Sequence, residues 1–537
     1  MVKPLPAQGA EKIYVGFGPL EFSLPISALE VYAAEGIIEP ELAFYAGLVE
    51  PEQLERLRTA LVTPVDATPV MIAQFLYSPQ GEIILDRVGE IIETKARQPG
   101  FFAIRASLIK ASARREGLTL LNVLREFPTY GIRVNSGRAF ELIEELSKLI
   151  QETQVAIAAV EENSQAEAFA QIESRKSLMR PILETAQDPT GFSEFPELRE
   201  PGTVGYSMQT ITLNDVSRRR SFPVDLYLPQ QLNSISVPVI VISHGLGSER
   251  ETFAYLAKHL ASYGFAVAVP EHPGSNAGQI EALLNGFASE VTSPRELLDR
   301  PLDIKFLLDE LEKSFSSQLN LQNVGVIGQS FGGYTALALA GAKFNFEQLQ
   351  EDCGQLNDTL NLSLLLQCIA IKLPIEDYPL KDERVKGILA INPIGSELFG
   401  QSGFGNIQVP TTLVSGSDDT VAPALPEQIK PFTWLNIPNK YLVLLRKGTH
   451  FSTLAPSTGG IPLPERVIGP DPLIAADYMK ALSVAFFQTY LASQLEYEPY
   501  LSASYAQFLS QDKMPLYLVE SLTQRQLMKL PSEEKSN

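Results

Sequence analysis

Histidine is scarce in this chain: His244, His259, His272 and His450 are the only four in 537 residues. They are scattered, with no His-x-x-x-His pair that a helix could aim at one ion, so the sequence offers no metal site. Cysteine is scarcer still. Cys353 and Cys368 lie in one stretch, where two free thiols and a single short-loop disulfide both fit; the disulfide would imply an oxidising compartment. Basic residues are outnumbered, 43 Lys and Arg against 63 Asp and Glu, for a net charge of −20. Such a surface repels phosphate backbones, which excludes nucleic acid as a partner, and it does not dock on anionic membranes by charge. Long apolar runs are missing too. The longest, residues 360–373, is broken by Asn361, Ser363, Gln367 and Lys372, so no transmembrane segment is expected. No Walker or dinucleotide glycine pattern follows a first strand, and no cofactor is expected.

Hydrophobic residues make up 45% of the chain and charged residues 20%, which is a globular composition, and the length is enough for more than one domain. The start, MVKPLPAQGAEKIYVGFG, has no apolar core and does not read as a signal peptide. Ala7-Gln8-Gly9-Ala10 has the small residues of a cleavage site, so a soluble chain exported to the periplasm or beyond, with its signal absent, is an expectation.

Residues 12–170 read as a mostly helical accessory domain. Two short strands, Ile13-Tyr14-Val15 and Leu20 to Leu24, flank Gly18-Pro19; helices follow, several with proline in the first turn, and residues 136–170 form one long amphipathic helix. Residues 171–200 carry Pro181, Pro189 and Pro196 among polar residues and read as a linker. From 201 to 500 the rhythm changes to strands alternating with helices. Eight strands are expected: Tyr206 to Leu213, Phe222 to Leu228, Val237 to Ile242, Phe265 to Val269, Val324 to Ile327, Val385 to Ile391, Thr411 to Val414 and Tyr441 to Leu445. That is an α/β architecture with a mostly parallel sheet. Residues 344–384 interrupt it as a helical cap insertion, and residues 501–537 read as a loosely attached tail. Within the cap, LNLSLLLQCIAIKL is too apolar for an exposed loop; it either lines an acyl pocket or packs against the sheet.

The chemistry concentrates at Gly328-Gln329-Ser330-Phe331-Gly332, a G-x-S-x-G pattern between a β-branched strand and the small-residue helix that begins at Thr335. Such a turn pushes Ser330 outward on a strained backbone, with a helix N-terminus aimed where negative charge develops. A serine hydroxyl needs a base. On this pattern the order is serine, acid, histidine, and only His450 follows Ser330. The acid belongs at the end of the preceding strand, where G-x-x-D-x-x-x-P counted from Gly416 selects Asp419 and leaves Asp418 as the alternative. The oxyanion hole takes the N–H of Phe331 and, from the loop Ser243-His244-Gly245-Leu246-Gly247, that of Leu246, with His244 bonding within the loop.

Ser243-His244-Gly245-Leu246-Gly247, Val269-Pro270-Glu271-His272 and Gly328-Gln329-Ser330-Phe331-Gly332-Gly333 together resemble the platelet-activating-factor acetylhydrolase branch of the α/β-hydrolases, which is related to dienelactone hydrolases. The resemblance spans residues 204–495, with Gln329 standing where that branch has histidine. The helical region before it resembles an uncharacterised domain found ahead of such hydrolases in cyanobacteria, whose members often carry export signals. The resemblance implies an α/β-hydrolase fold and a carboxylic ester hydrolase, of esterase or lipase type, acting on a small-molecule or lipid ester through Ser330, Asp419 and His450. A serine peptidase on the same fold, and a hydrolase-like binding protein with a covered site, are the alternatives.

Overall fold

The computed structural model describes residues 9–17, 20–183, 190–230, 237–354, 361–455 and 465–527. The chain divides into two compact units, Met1–Lys148 with Gln279–Val291, and Leu149–Gly278 with Thr292–Asn537.

In the first unit, proline opens the helices Pro40–Ala46, Pro51–Val62, Pro69–Leu76 and Pro79–Ile91, where its missing N–H costs nothing. The Thr68 and Ser78 hydroxyls accept the N–H groups of Met71 and Gly81, each at 3.2 Å, and cap two of them. The unit also holds a four-stranded sheet of β1 (Lys12–Phe17), β2 (Leu20–Pro25), β3 (Ile92–Thr94) and β4 (Gly131–Val134), in the order β2-β1-β4-β3. β1 runs parallel to β4 and antiparallel to β2. The Gly18-Pro19 turn lies outside the described residues. Ile26, Leu29, Tyr32, Leu85, Ile104, Phe127 and Ile132 form the core.

The second unit is built on nine strands: β5 (Tyr206–Asp215), β6 (Arg220–Pro229), β7 (Val237–Ser243), β8 (Ala266–Pro270), β9 (Leu319–Gln329), β10 (Val385–Ile391), β11 (Thr411–Gly416), β12 (Lys440–Leu445) and β13 (Leu516–Val519). Their order is β13-β12-β11-β10-β9-β7-β8-β6-β5. The six strands from β8 across to β12 are parallel, and β5, β6 and β13 are antiparallel additions at the two edges. This is the α/β-hydrolase fold. Fully buried Val239, Val241, Val326 and Ile327 account for the unbroken apolar runs of the central strands, which are covered on both faces.

Three boundaries differ from the sequence expectation. The long helix runs from Ser136 to Leu183, past residue 170, and from Leu149 its residues belong to the second unit, where Ala156, Ile157 and Val160 enter the main core. The stretch 171–200 is therefore helix as far as Leu183, and beyond it Phe192 and Leu198 are buried in the second core. Residues 501–527 are no loose tail. The helix Ala503–Leu509 packs inside, and β13 pairs with β12 from Leu442↔Val519 to Leu445↔Leu516, making the ninth strand and covering an edge that would otherwise be open.

In the cap insertion, of which residues 355–360 lie outside the described residues, Cys353 and Cys368 form a disulfide, with Cα atoms 5.6 Å apart. Leu364, Leu366, Ile369 and Ala370 join the main core beside Leu398 and Phe399, so these side chains pack inward. Thiol titration of the unfolded, unreduced protein should find no free thiol, and two after reduction; two before reduction would break the pairing. Cross-linking residues 15 apart removes roughly 3 kcal/mol of chain entropy from the unfolded state, so reduction should also lower the unfolding midpoint.

Candidate active site

β9 ends at Gln329, and the helix Phe331–Leu339 begins two residues later. Ser330 between them adopts φ 55° and ψ −116°, a conformation that costs energy for any residue with a Cβ. The surroundings hold it there. Its N–H donates to the Ile391 carbonyl of β10 at 2.9 Å, and its carbonyl accepts the Tyr334 N–H at 3.0 Å. The flanking glycines leave room for close backbone approach: a Cβ at Gly328 would strike the Gly332 carbonyl, and one at Gly332 the Ser243 carbonyl. Ser330 is 7% exposed.

The loop after β11 carries Asp418 and Asp419 to different places. Asp418 is exposed and accepts the neighbouring Ser417 hydroxyl at 2.6 Å. Asp419 is buried and receives four donors. Its Oδ1 accepts the N–H groups of Val421 and Ala422, both at 2.8 Å. Its Oδ2 accepts Asn392 Nδ2 at 2.5 Å and His450 Nδ1 at 2.7 Å. With Nδ1–H committed to the carboxylate, the Nε2 of a neutral His450 is left with its lone pair. His450 is itself buried, and its carbonyl accepts Gln329 Nε2 at 3.0 Å, which ties the histidine loop to the sharp strand-to-helix turn at Ser330, the elbow.

Asn392 was not singled out from sequence, and Gln329 only as a departure from the resembled branch, with no role given to it. Gln329 occupies a variable position of the G-x-S-x-G pattern. Asn392 follows the carboxyl end of β10, with φ 43° and its N–H on the Val414 carbonyl at 2.8 Å. The carboxyl ends of parallel strands gather sites in such sheets, and that was the signal available.

The loop after β7 lies against the elbow: a Cβ on Gly245 would sit 3.4 Å from the Ser330 Cβ. Leu246 is half-buried in this loop, and Phe331 is the fully buried first residue of the elbow helix. His244 shapes the loop from within. Its Nδ1 donates to the Gly245 carbonyl at 2.8 Å, and its Nε2 accepts the His272 N–H at 3.0 Å. Complete burial pulls both His244 and His272 well below the ordinary histidine range, the buried Arg300 guanidinium adding to the effect, so both are neutral. His259 is remote from these contacts. It bonds the Leu198 carbonyl at 2.9 Å, and burial lowers it to about 4.

Two sequence families match parts of the chain. The model described as "alpha/beta hydrolase fold" covers residues 238–346, from β7 through the elbow helix. The model described as "Alpha/beta hydrolase of unknown function (DUF1400)" covers residues 9–135, which lie in the first unit. Comparison with curated proteins gives no match. The fold and these matches together support a hydrolase. Among the described residues no helix is long and apolar enough to cross a membrane.

Proposed function

We propose that the protein is a serine carboxylic ester hydrolase working through an acyl-enzyme on Ser330. The observation that carries this reading is the 2.7 Å bond from His450 Nδ1 to the buried, fourfold-bonded Asp419, on a loop that Gln329, the residue before the strained Ser330, ties to the serine turn. In this mechanism His450 Nε2 takes the Ser330 proton as Oγ attacks the ester carbonyl. The tetrahedral oxyanion lies against the N–H groups of Phe331 and Leu246 at the positive end of the elbow helix. Collapse expels the alcohol, which receives its proton from His450. Water, activated by the same histidine, then attacks the acyl-enzyme, releasing the carboxylic acid and restoring Ser330. The similarity of the SHGLG and GQSFGG segments to the acetylhydrolase branch favours a small-molecule or lipid ester over a peptide. The Cys353–Cys368 disulfide supports an oxidising compartment.

A fluorophosphonate probe should label the wild-type protein and leave Ser330→Ala unlabelled, and p-nitrophenyl esters from acetyl to palmitoyl should be hydrolysed with the same dependence. Undiminished labelling of Ser330→Ala would move the nucleophile elsewhere. Ser330-dependent cleavage of peptides without ester turnover would reassign the protein to the peptidases.

A further inference from the structure

The second unit holds another serine–histidine–aspartate succession. Ser243 Oγ lies 3.0 Å from His272 Nε2, and His272 Nδ1 lies 3.0 Å from Asp303 Oδ2. Ser243, His272 and Asp303 have no exposure, so no substrate reaches this serine. The succession ends instead on Arg300, whose guanidinium is also fully buried.

Arg300 sits on the helix Glu296–Phe315, where Glu296, Asp299, Arg300 and Asp303 share one face at three- and four-residue spacing. Its charge is balanced through two hydroxyls. Nη1 donates to Ser275 Oγ at 2.7 Å, and that hydroxyl donates to Glu296 at 3.0 Å. Nη2 donates to Ser243 Oγ at 3.2 Å, from which the path runs through His272 to Asp303. The carboxylates are held in turn from outside: Arg218 and Arg220 both reach Asp303 at 2.8 Å, and Arg220 also bonds Glu296.

Arg300 touches both sides of the space beside Ser330. Nη2 donates to the His244 carbonyl, two residues before Leu246. On the other side Nε donates to Thr335 Oγ1 at 3.2 Å, and that hydroxyl donates to the Phe331 carbonyl at 2.9 Å. The guanidinium also lies over the Phe331 ring, 4.6 Å from its centroid. One planar, five-donor group thus spans the loop after β7 and the first turn of the elbow helix.

We propose that Arg300 is a positioning residue for the oxyanion hole: it fixes the spacing between the loop Ser243–Gly247 and the elbow helix, and with it the aim of the Leu246 and Phe331 N–H groups. Ser243, His272 and Asp303 hold Arg300 in that pose. The inference rests on the assignment of Ser330 as the nucleophile.

The test compares wild type, Arg300→Lys, Ser243→Ala and Thr335→Val for p-nitrophenyl ester kinetics, inhibition by phenylboronic acid and thermal unfolding, with Ser330→Ala as control. Arg300→Lys keeps an N–H donor at the end of a long side chain and loses the planar fork. It should lower kcat about 10²–10³-fold, the scale of one lost oxyanion donor, with KM nearly unchanged. The boronate, whose tetrahedral adduct occupies the hole, should weaken in proportion to the loss in kcat/KM. Ser243→Ala and Thr335→Val keep Arg300 and should show the same signature at roughly tenfold, the scale of one hydrogen bond; they carry the test if Arg300→Lys does not fold. A lowered unfolding temperature with kcat and boronate inhibition retained would leave the network a structural one and overturn the proposal. So would a parallel loss in kcat and boronate affinity that appears only with a large rise in KM. A wild-type protein that neither reacts with the fluorophosphonate nor turns over esters overturns the nucleophile assignment and this proposal together. A reactive wild type with unaffected variants overturns the positioning role alone.

Discussion

Asp419→Asn should lower kcat by about 10⁴ with little change in KM, while Asp418→Asn should behave like wild type. The asymmetry follows from the bonds at each carboxyl. Asp419 Oδ1 faces two backbone N–H groups, so in the variant the amide oxygen turns to that side. The amide nitrogen is then left facing His450 Nδ1 and Asn392 Nδ2, where wild type has an acceptor. His450 can answer only by moving its proton to Nε2 and accepting at Nδ1. That tautomer presents N–H to Ser330 and cannot take its proton. Asp418 bonds Ser417 at the surface, and its substitution leaves this arrangement alone. Steady-state kinetics on p-nitrophenyl acetate distinguishes the two; an inactive Asp418→Asn beside an active Asp419→Asn would sink the assignment.

The elbow could be read from sequence because its signal is local. A strand, two glycines at fixed offsets and a small-residue helix all fall within about a dozen residues, and Gly328 and Gly332 are there because backbone carbonyls occupy the space a side chain would fill. Order and the scarcity of histidine singled out His450 as the proposed base, and the structure bonds it to Asp419. The Arg300 network could not be read in this way. Its members, from Arg218 to Thr335, come from five separate stretches with no shared spacing, and His272 stood out only as part of a resemblance. β13 was missed for a similar reason. Leu516-Tyr517-Leu518-Val519 is four residues in a polar neighbourhood, and what makes it a strand is the unpaired edge of β12, more than 70 residues earlier in the sequence. The assignment of residues 279–291 to the first unit likewise leaves no trace in their sequence neighbours.

Glu427→Gln should cost the second unit about 2–6 kcal/mol, taking two buried donors left unpaired at 1–3 kcal/mol each. Glu427 is almost completely buried, and its carboxylate accepts six hydrogen bonds. Oε1 takes Asn361 Nδ2 at 2.5 Å, Ser363 Oγ at 2.8 Å, Gln367 Nε2 at 2.9 Å and Ser396 Oγ at 2.7 Å. Oε2 takes the N–H groups of Gly395 at 3.1 Å and Ser396 at 3.2 Å. The next two N–H groups, of Glu397 and Leu398, go to Gln367 Oε1 at 2.9 and 3.0 Å. One carboxylate and one amide thus satisfy the orphan donors that begin the helix Ser396–Phe404, and they latch the cap segment onto it. Glutamine has the same shape but must turn its NH₂ toward one set of donors. Facing Gly395 and Ser396, it strands two backbone N–H groups; facing the other side, it takes the acceptor from the Asn361 and Gln367 amides, while the Ser363 and Ser396 hydroxyls can turn to accept. Urea unfolding at neutral pH measures the loss. A change within about 0.5 kcal/mol, the range of an ordinary surface substitution, would show that these donors find other partners and that Glu427 is no latch.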